Sequence, residues 1–326
     1  MVETNAGLLQ MYRNSKIVLR CVGVYLSQMR RIWNCLPVFV RRSSLGRAYG
    51  GHLHSMVCLH VERRQSFGTF FLRNRAELDL MCRLVNCFGS TLKIAVLAAS
   101  KGAEVYSIMW AIRTAHPNLK LCMDAVDISQ EILEFAQRGV YSLENLDDSD
   151  SINHGGARDK TDVTWNTFRD QNAPIFQRMT EEEVKAMCDV QEDRVTIRPW
   201  LRTGITWLRG DASDPELVDL LGPQDIVVAN RFLCHMNPIT AERCLRNVGR
   251  MVKRGGYLFV SGIDLDVRTR VAQDLDWKPI TESMREIHEG DVSLQRGWPF
   301  EYWGLEPFSQ RRPDWKTRYA SVFQVG

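Results

Sequence analysis

The 326-residue sequence lacks several features, and each absence removes a class of protein. No uninterrupted apolar run approaches the roughly 20 residues that cross a bilayer, so no transmembrane segment is expected. The first residues do not show the charged-then-apolar order of a secretory leader. The cysteines include no Cys-x-x-Cys pair. Their odd number and mostly apolar flanks read as reduced thiols used as small hydrophobes, and the expected location is cytoplasmic. There is no internal repeat and no Gly-x-Gly-x-x-Gly run. Excess charge of one sign is also scarce: a net +3 does not by itself imply nucleic acid, and none is expected as a partner. What remains is ordinary globular composition, 44% hydrophobic and 25% charged. The length suits one α/β core with a smaller appended region.

The charge is unevenly placed. Residues 1–47 carry Arg13, Lys16, Arg20, Arg30, Arg31, Arg41, Arg42 and Arg47 against Glu3 alone. An acidic partner or an anionic membrane surface could read that segment. A helical region packing Ile17, Val18, Val22, Tyr25, Leu26 and Met29 on the rest of the chain explains the apolar positions equally well.

Residues 1–40 predict one or two helices stopped near Pro37, followed by a polar connection over 41–51 and a strand over Leu53–Glu62. Leu78, Leu80, Met81, Leu84 and Val85 recur at helical spacing. Lys93–Ala99 is an apolar run of the kind buried in a parallel sheet, broken at Ser100-Lys101-Gly102 before a helix over Ala103–Ala115. A second strand, Leu119–Val126, ends at Asp127, and Ser129 is a good cap for the next helix. Residues 142–200 interrupt the pattern with a polar loop around 147–160, a helix over Glu181–Met187 and a strand over Arg194–Arg198. Strands resume at 206–208, 225–229 and 257–261. A helix over about 239–252 is closed by Lys253–Gly256, and a last strand falls within Arg318–Val325. The expected fold is α/β: a doubly wound, mostly parallel Rossmann-like sheet over 89–326, behind a mainly helical region over 1–88.

Loops leaving parallel strands at their carboxyl ends face the ligand crevice of such sheets. Ala98, Ser100 and Gly102 are small enough for close approach of a bound molecule. Asp127 ends the neighbouring strand, where a carboxylate can accept both ribose hydroxyls, and the spacing of roughly 25 residues suits a nucleoside-bearing cofactor. Asp127 could also serve only to cap the following helix. With one glycine in the loop a dinucleotide fits poorly, which favours S-adenosylmethionine over NAD.

Four separated stretches together resemble the chemotaxis-receptor glutamate methyltransferase (CheR-type) family, which carries Thr-x-Phe-Phe-Arg ahead of the fold, where this chain has Thr69-Phe70-Phe71-Leu72-Arg73. The family loop Ser-Thr-Gly-Glu-Glu-Pro-Tyr-Ser is matched by Ser100–Ser107, and its Thr-Asp-Ile-Asp by Val126-Asp127-Ile128-Ser129. Its Cys-Arg-Asn-Val-x-Ile-Tyr-Phe resembles Ala229–Met236. The resemblance spans about residues 65–265 and implies a class I S-adenosylmethionine-dependent methyltransferase. It implies that Thr69 and Arg73 reach the methionine moiety, Glu104 the amino group, Asp127 with Ile128 the ribose, and Asp211 and Ala212 the adenine. Asn230 and Arg231 would lie where the methyl group is delivered. His235 replaces the tyrosine near the acceptor and could act as a base or as a structural histidine. Ala103 replaces one acid of the loop pair, the Arg-Asn order is reversed, and the family's small β insert is not recognisable in 142–200. The acceptor, a protein side chain (a carboxylate among them) or a small molecule, is left open, and so is a non-catalytic cofactor-sensing or scaffold module. His52, His54, Cys58 and His60 have strand-like metal spacing but no second ligand cluster, so no metal is expected. The aromatic and arginine-rich tail from Trp298 reads as a segment packed over the sheet edge.

Overall fold

Thr91–Leu97 forms strand β1 inside a seven-stranded sheet, and its side chains show why the run is continuously apolar. Ile94 and Val96 belong to the core on one face and Ala95 and Leu97 to the core on the other, so neither face can be polar. The computed structural model describes residues 16–61, 63, 68–142, 175–192 and 194–326. The other strands are β2 (Lys120–Asp127), β3 (Val140–Ser142), β4 (Cys188–Gln191), β5 (Arg194–Ile197), β6 (Ile205–Arg209), β7 (Gln224–Asn230), β8 (Val252–Ser261), β9 (Lys278–Pro279) and β10 (Val322–Gln324). The large sheet runs β6-β2-β1-β7-β8-β10-β9, with β10 antiparallel to both neighbours and the pairs from β6 to β8 parallel. This is the doubly wound, mostly parallel α/β sheet that the sequence implies.

Helices Arg75–Val85 and Ala103–Ala115 cover one face, and Pro238–Met251 and Leu265–Asp274 the other. Several helices start on a local signal. Asn74 accepts a hydrogen bond from the Glu77 amide, and Ser129 accepts one from Ile132 at the head of Gln130–Arg138. Asn237 caps Pro238–Met251, whose first residue is the proline.

Several expectations are corrected. Residues 44–60 are one helix, not a polar connection leading to a strand. Its buried positions are Gly46, Gly50, Leu53 and Val57, a helical period in which two positions carry no side chain. Gly50 is a packing surface, since an added Cβ would lie 2.1 Å from Trp298 Cη2. Strands β3, β5 and β4 pair as a small antiparallel sheet, so a β insert does exist where none was recognisable. Lys253–Gly256 does not close the preceding helix. That helix ends at Met251, and these residues open β8 through a register shift. Arg318 lies in the helix Trp315–Tyr319, and the final strand is only Val322–Gln324. The polar stretch 147–160 lies outside the described residues.

Candidate active site

The chain winds outward from β1 in both directions, so the loops after β1, β2 and β7 open on one side of the sheet. They enclose a cavity of about 440 Å³. Of the residues singled out in the sequence, Thr69, Arg73, Ala98, Ser100, Glu104, Asp127, Ile128, Asp211, Ala212, Asn230, Arg231 and His235 all line it. Gly102 does not. It sits behind the loop at φ +83°, with Ala136 and Tyr106 3.1 Å from the position of an added Cβ, so its part is to let the chain turn.

The loop after β1 is tightly wound: Ala98 (φ +55°) and Ser100 (φ +50°) both adopt left-handed backbone, which is uncommon for residues with a side chain. Asp127, 5% exposed, locks this turn, because its Oδ2 accepts from the Ser100 amide at 2.9 Å and its Oδ1 from the Ser129 amide at 3.0 Å. Burial raises its pKa, and these amides oppose the shift. A carboxylate has about four lone-pair sites, so two bonds leave acceptor capacity on the wall of the cavity.

Deeper in, the Asn230 amide is fully used. Its Nδ2 donates to Glu77 Oε1 at 2.8 Å and to Glu104 Oε1 at 2.9 Å, and its Oδ1 accepts from Ser261 Oγ at 2.8 Å. Two carboxylates thus share one amide group. Glu77 is buried, and its carboxyl is pushed up to about 8 by burial and by the charge of Glu104. Arg73 donates to Thr69 Oγ1 at 3.0 Å, while its buried Nε has no hydrogen-bond partner. Burial and neighbouring Arg231 lower the Arg73 pKa. Arg231 adopts φ +60°, and its Nη1 meets Asp291 Oδ2 at 2.7 Å; Arg178 holds the other Asp291 oxygen at 3.1 Å.

His235 ends a short 3-10 turn, and its Nδ1 lies 2.7 Å from the Tyr302 hydroxyl. Phe232 and Met236 supply apolar wall beside it. Arg63, also on the wall, donates to the carbonyls of Cys234 and Met236 and pairs with Asp264, pinning the backbone around His235.

Sequence reasoning missed Glu77, Arg63, Arg178, Asp291 and Tyr302. None left a distinctive signal, since Glu77 reads as the ordinary acid of a helix's first turn. The cluster His52, His54, Cys58 and His60 lies on a helix rather than a strand. His54 Nε2 is 3.5 Å from Cys58 Sγ, and no group of three metal-ligating side chains occurs among the described residues. Trp298 packs edge-on against Trp33 and Trp315 against Phe308, as a packed tail requires.

No family model and no curated relative matches the chain. Solved structures similar to it include the CMeT domain of a citrinin polyketide synthase, 13% identical over 56% of this chain and 33% of that one, with a TM-score of 0.32. Another is an O-methyltransferase family protein from Burkholderia thailandensis, 12% identical over 80% of this chain and 52% of that one, TM-score 0.31. A third is an S-adenosylmethionine-dependent methyltransferase from Clostridium acetobutylicum, 14% identical over 63% and 54%, TM-score 0.29. The chain spans from a third to about half of the length of these structures. Likeness this distant leaves the chemistry to be argued from the site itself.

Proposed function

We propose that the chain is an S-adenosylmethionine-dependent methyltransferase acting on a protein side chain, carboxylates included, or on a small molecule. The observation that carries this is the convergence of five separate segments, from Thr69 to His235, on one cavity whose polar groups match the parts of that cofactor. The remaining acceptor capacity of Asp127 suits ribose hydroxyls. Asp211, Ala212 and the half-exposed Ile128 flank a place for a flat base. The unpartnered Arg73 Nε, beside Thr69, suits a carboxylate, and the acidic Glu104 suits an ammonium group. The small residues Ala98 and Ala99 let a ligand approach the backbone.

Once bound, the cofactor supplies a methyl group already activated by its positive sulfonium. The protein's own work is then to hold both partners in line and to keep water out. Asn230 acts on this reading as a positioning residue, because its amide fixes Glu104. Ala103 is fully buried in the core, so it leaves no second loop acid. Glu77, joined to Glu104 through Asn230, supplies a second carboxyl from the preceding helix. This substitution of one acid's origin supports a CheR-like donor site, while the reversed Asn230-Arg231 order and His235 set the acceptor side apart. A carboxylate acceptor needs no base; for a nitrogen or hydroxyl acceptor, His235, its ring held by Tyr302, is placed to take the proton.

One observation favours the second reading, a cofactor-sensing or scaffold module: Asn230 and Arg231 are both committed to acidic partners rather than to an acceptor. The deciding experiment incubates the protein with a cell lysate and cofactor labelled in its methyl group, followed by mass spectrometry. Label in a protein or metabolite supports the enzyme, and base-labile label points to an ester. Binding of cofactor with no transfer to any component sinks it in favour of the module.

A further inference from the structure

The proposed reaction makes no use of the charge carried by the N-terminal region. From Thr4 to Val61 the sequence has no acidic residue, and it places Arg41, Arg42 and Arg47 next to the apolar side chains Val38, Phe39 and Leu45. Folding sharpens this into a face. Arg42 and Arg47 line a surface hollow with Arg285 and Arg311, brought from the other end of the chain, and Phe39 and Phe308 complete its wall. None of these four arginines has an ion-pair partner among the described residues; Arg311 reaches only the Ser44 hydroxyl, at 3.5 Å, and Arg285 lies over the Phe308 ring. The acids of the adjoining hollow are Glu289 and Glu306, and Glu306 is held by Arg318.

Beside these cations Phe39 is 76% exposed, and its neighbours in sequence Leu45 and Val38 are 85% and 53% exposed. Phe39 stands on the wall of the same hollow as the four arginines, so an exposed aromatic ring and the basic side chains share one face. A nucleic acid or an acidic peptide would engage the arginines yet leave an exposed leucine and valine in water. A lipid interface rewards both: apolar side chains enter the boundary between headgroups and acyl chains while arginines meet phosphates. No helix among the described residues is long and apolar enough to cross a membrane.

We propose that this face docks the protein on a membrane surface bearing anionic phospholipids. The docking does not depend on the methyl-transfer reading. Its test is co-sedimentation of the full chain with vesicles of phosphatidylcholine alone and of an equal mixture with phosphatidylglycerol, at low and high salt. Binding is expected to the mixed vesicles only, weakening as salt rises. With each arginine near the surface worth about 1 kcal/mol, the pair Arg285→Gln and Arg311→Gln should lower partitioning roughly 30-fold. Arg285→Lys with Arg311→Lys should retain it, because a lipid surface responds to charge rather than to a guanidinium fork. Phe39→Ser should lower it about tenfold without changing the salt slope. Equal partitioning to both vesicle types, no change in the double glutamine variant with its fold intact by circular dichroism, or binding to a single-stranded oligonucleotide in preference to the mixed vesicles would each overturn the proposal.

Discussion

Replacing Glu77 by glutamine tests the buried acid pair at the base of the cavity. Glu77 is 6% exposed, and its carboxyl is moved from 4.5 to about 8, first by burial and then by Glu104, with Asn230 and Arg73 pulling it back. In the unfolded chain a glutamate releases its proton near pH 4.3. Between those two values the folded protein binds the proton more tightly. Stability is therefore greatest below the unfolded pKa, falls as pH rises, and has lost this contribution fully above the folded pKa. At about 1.4 kcal/mol per pH unit, the loss is on the order of 4 kcal/mol between about pH 5 and about pH 8. Glutamine keeps the oxygen that accepts from Asn230 but carries no charge to bury. Urea unfolding of wild type and Glu77→Gln across that range should give near parity at the acid end and a growing advantage for the variant toward pH 8. Taking the difference removes the groups that titrate in the window independently of Glu77, such as Lys101, which burial lowers to about 8. A difference that does not change with pH, or one that grows toward acid, refutes the account of Glu77.

Asp127→Ala removes the acceptor proposed for the ribose and leaves the Ser100 and Ser129 amides unpaired. We expect affinity for S-adenosylhomocysteine to fall at least about 100-fold and stability by about 1–3 kcal/mol, read by calorimetry and by denaturant titration. His235→Phe should lower turnover about 100-fold or more while leaving cofactor affinity unchanged, if the acceptor must lose a proton; unchanged turnover in a competent assay removes His235 from the chemistry. Gly249→Ala places a Cβ 2.4 Å from Trp277 Cζ2, and the resulting overpacking should cost about 1–3 kcal/mol in thermal or urea unfolding, with no effect on ligand affinity.

The parts of the fold legible in the sequence are those with uniform surroundings. β1 and β7 are buried on both faces, so Ile94–Leu97 and Ile226–Ala229 had to be apolar throughout. The helix 44–60 was illegible because Gly46 serves there as contact surface against the backbone at 40–41 and Gly50 against Trp33 and Trp298, and a turn uses the same residue for a different reason. β3, β4 and β5 are three or four residues long, too short to display a period. The same division runs through the site. Asp127 and the Ala98–Ser100 loop are tied to strand ends and could be placed from position alone, whereas Glu104, in the first turn of a helix, was placed by the resemblance. Glu77, in contrast, looks like the acid that any helix favours in its first turn, and only the three-dimensional approach of Asn230 gives it another meaning. Asp291 and Tyr302 were invisible for a related reason, since they meet Arg231 and His235 from about 60 residues further along the chain.

The central claim, that this cavity holds an adenosyl methyl donor, is tested most directly by titrating S-adenosylhomocysteine into the full chain in a calorimeter. Saturable one-site binding in the micromolar range, lost in Asp127→Ala and undisturbed by NADH, is the expected result. No heat from a well-folded sample, or displacement of the ligand by NADH, would contradict it.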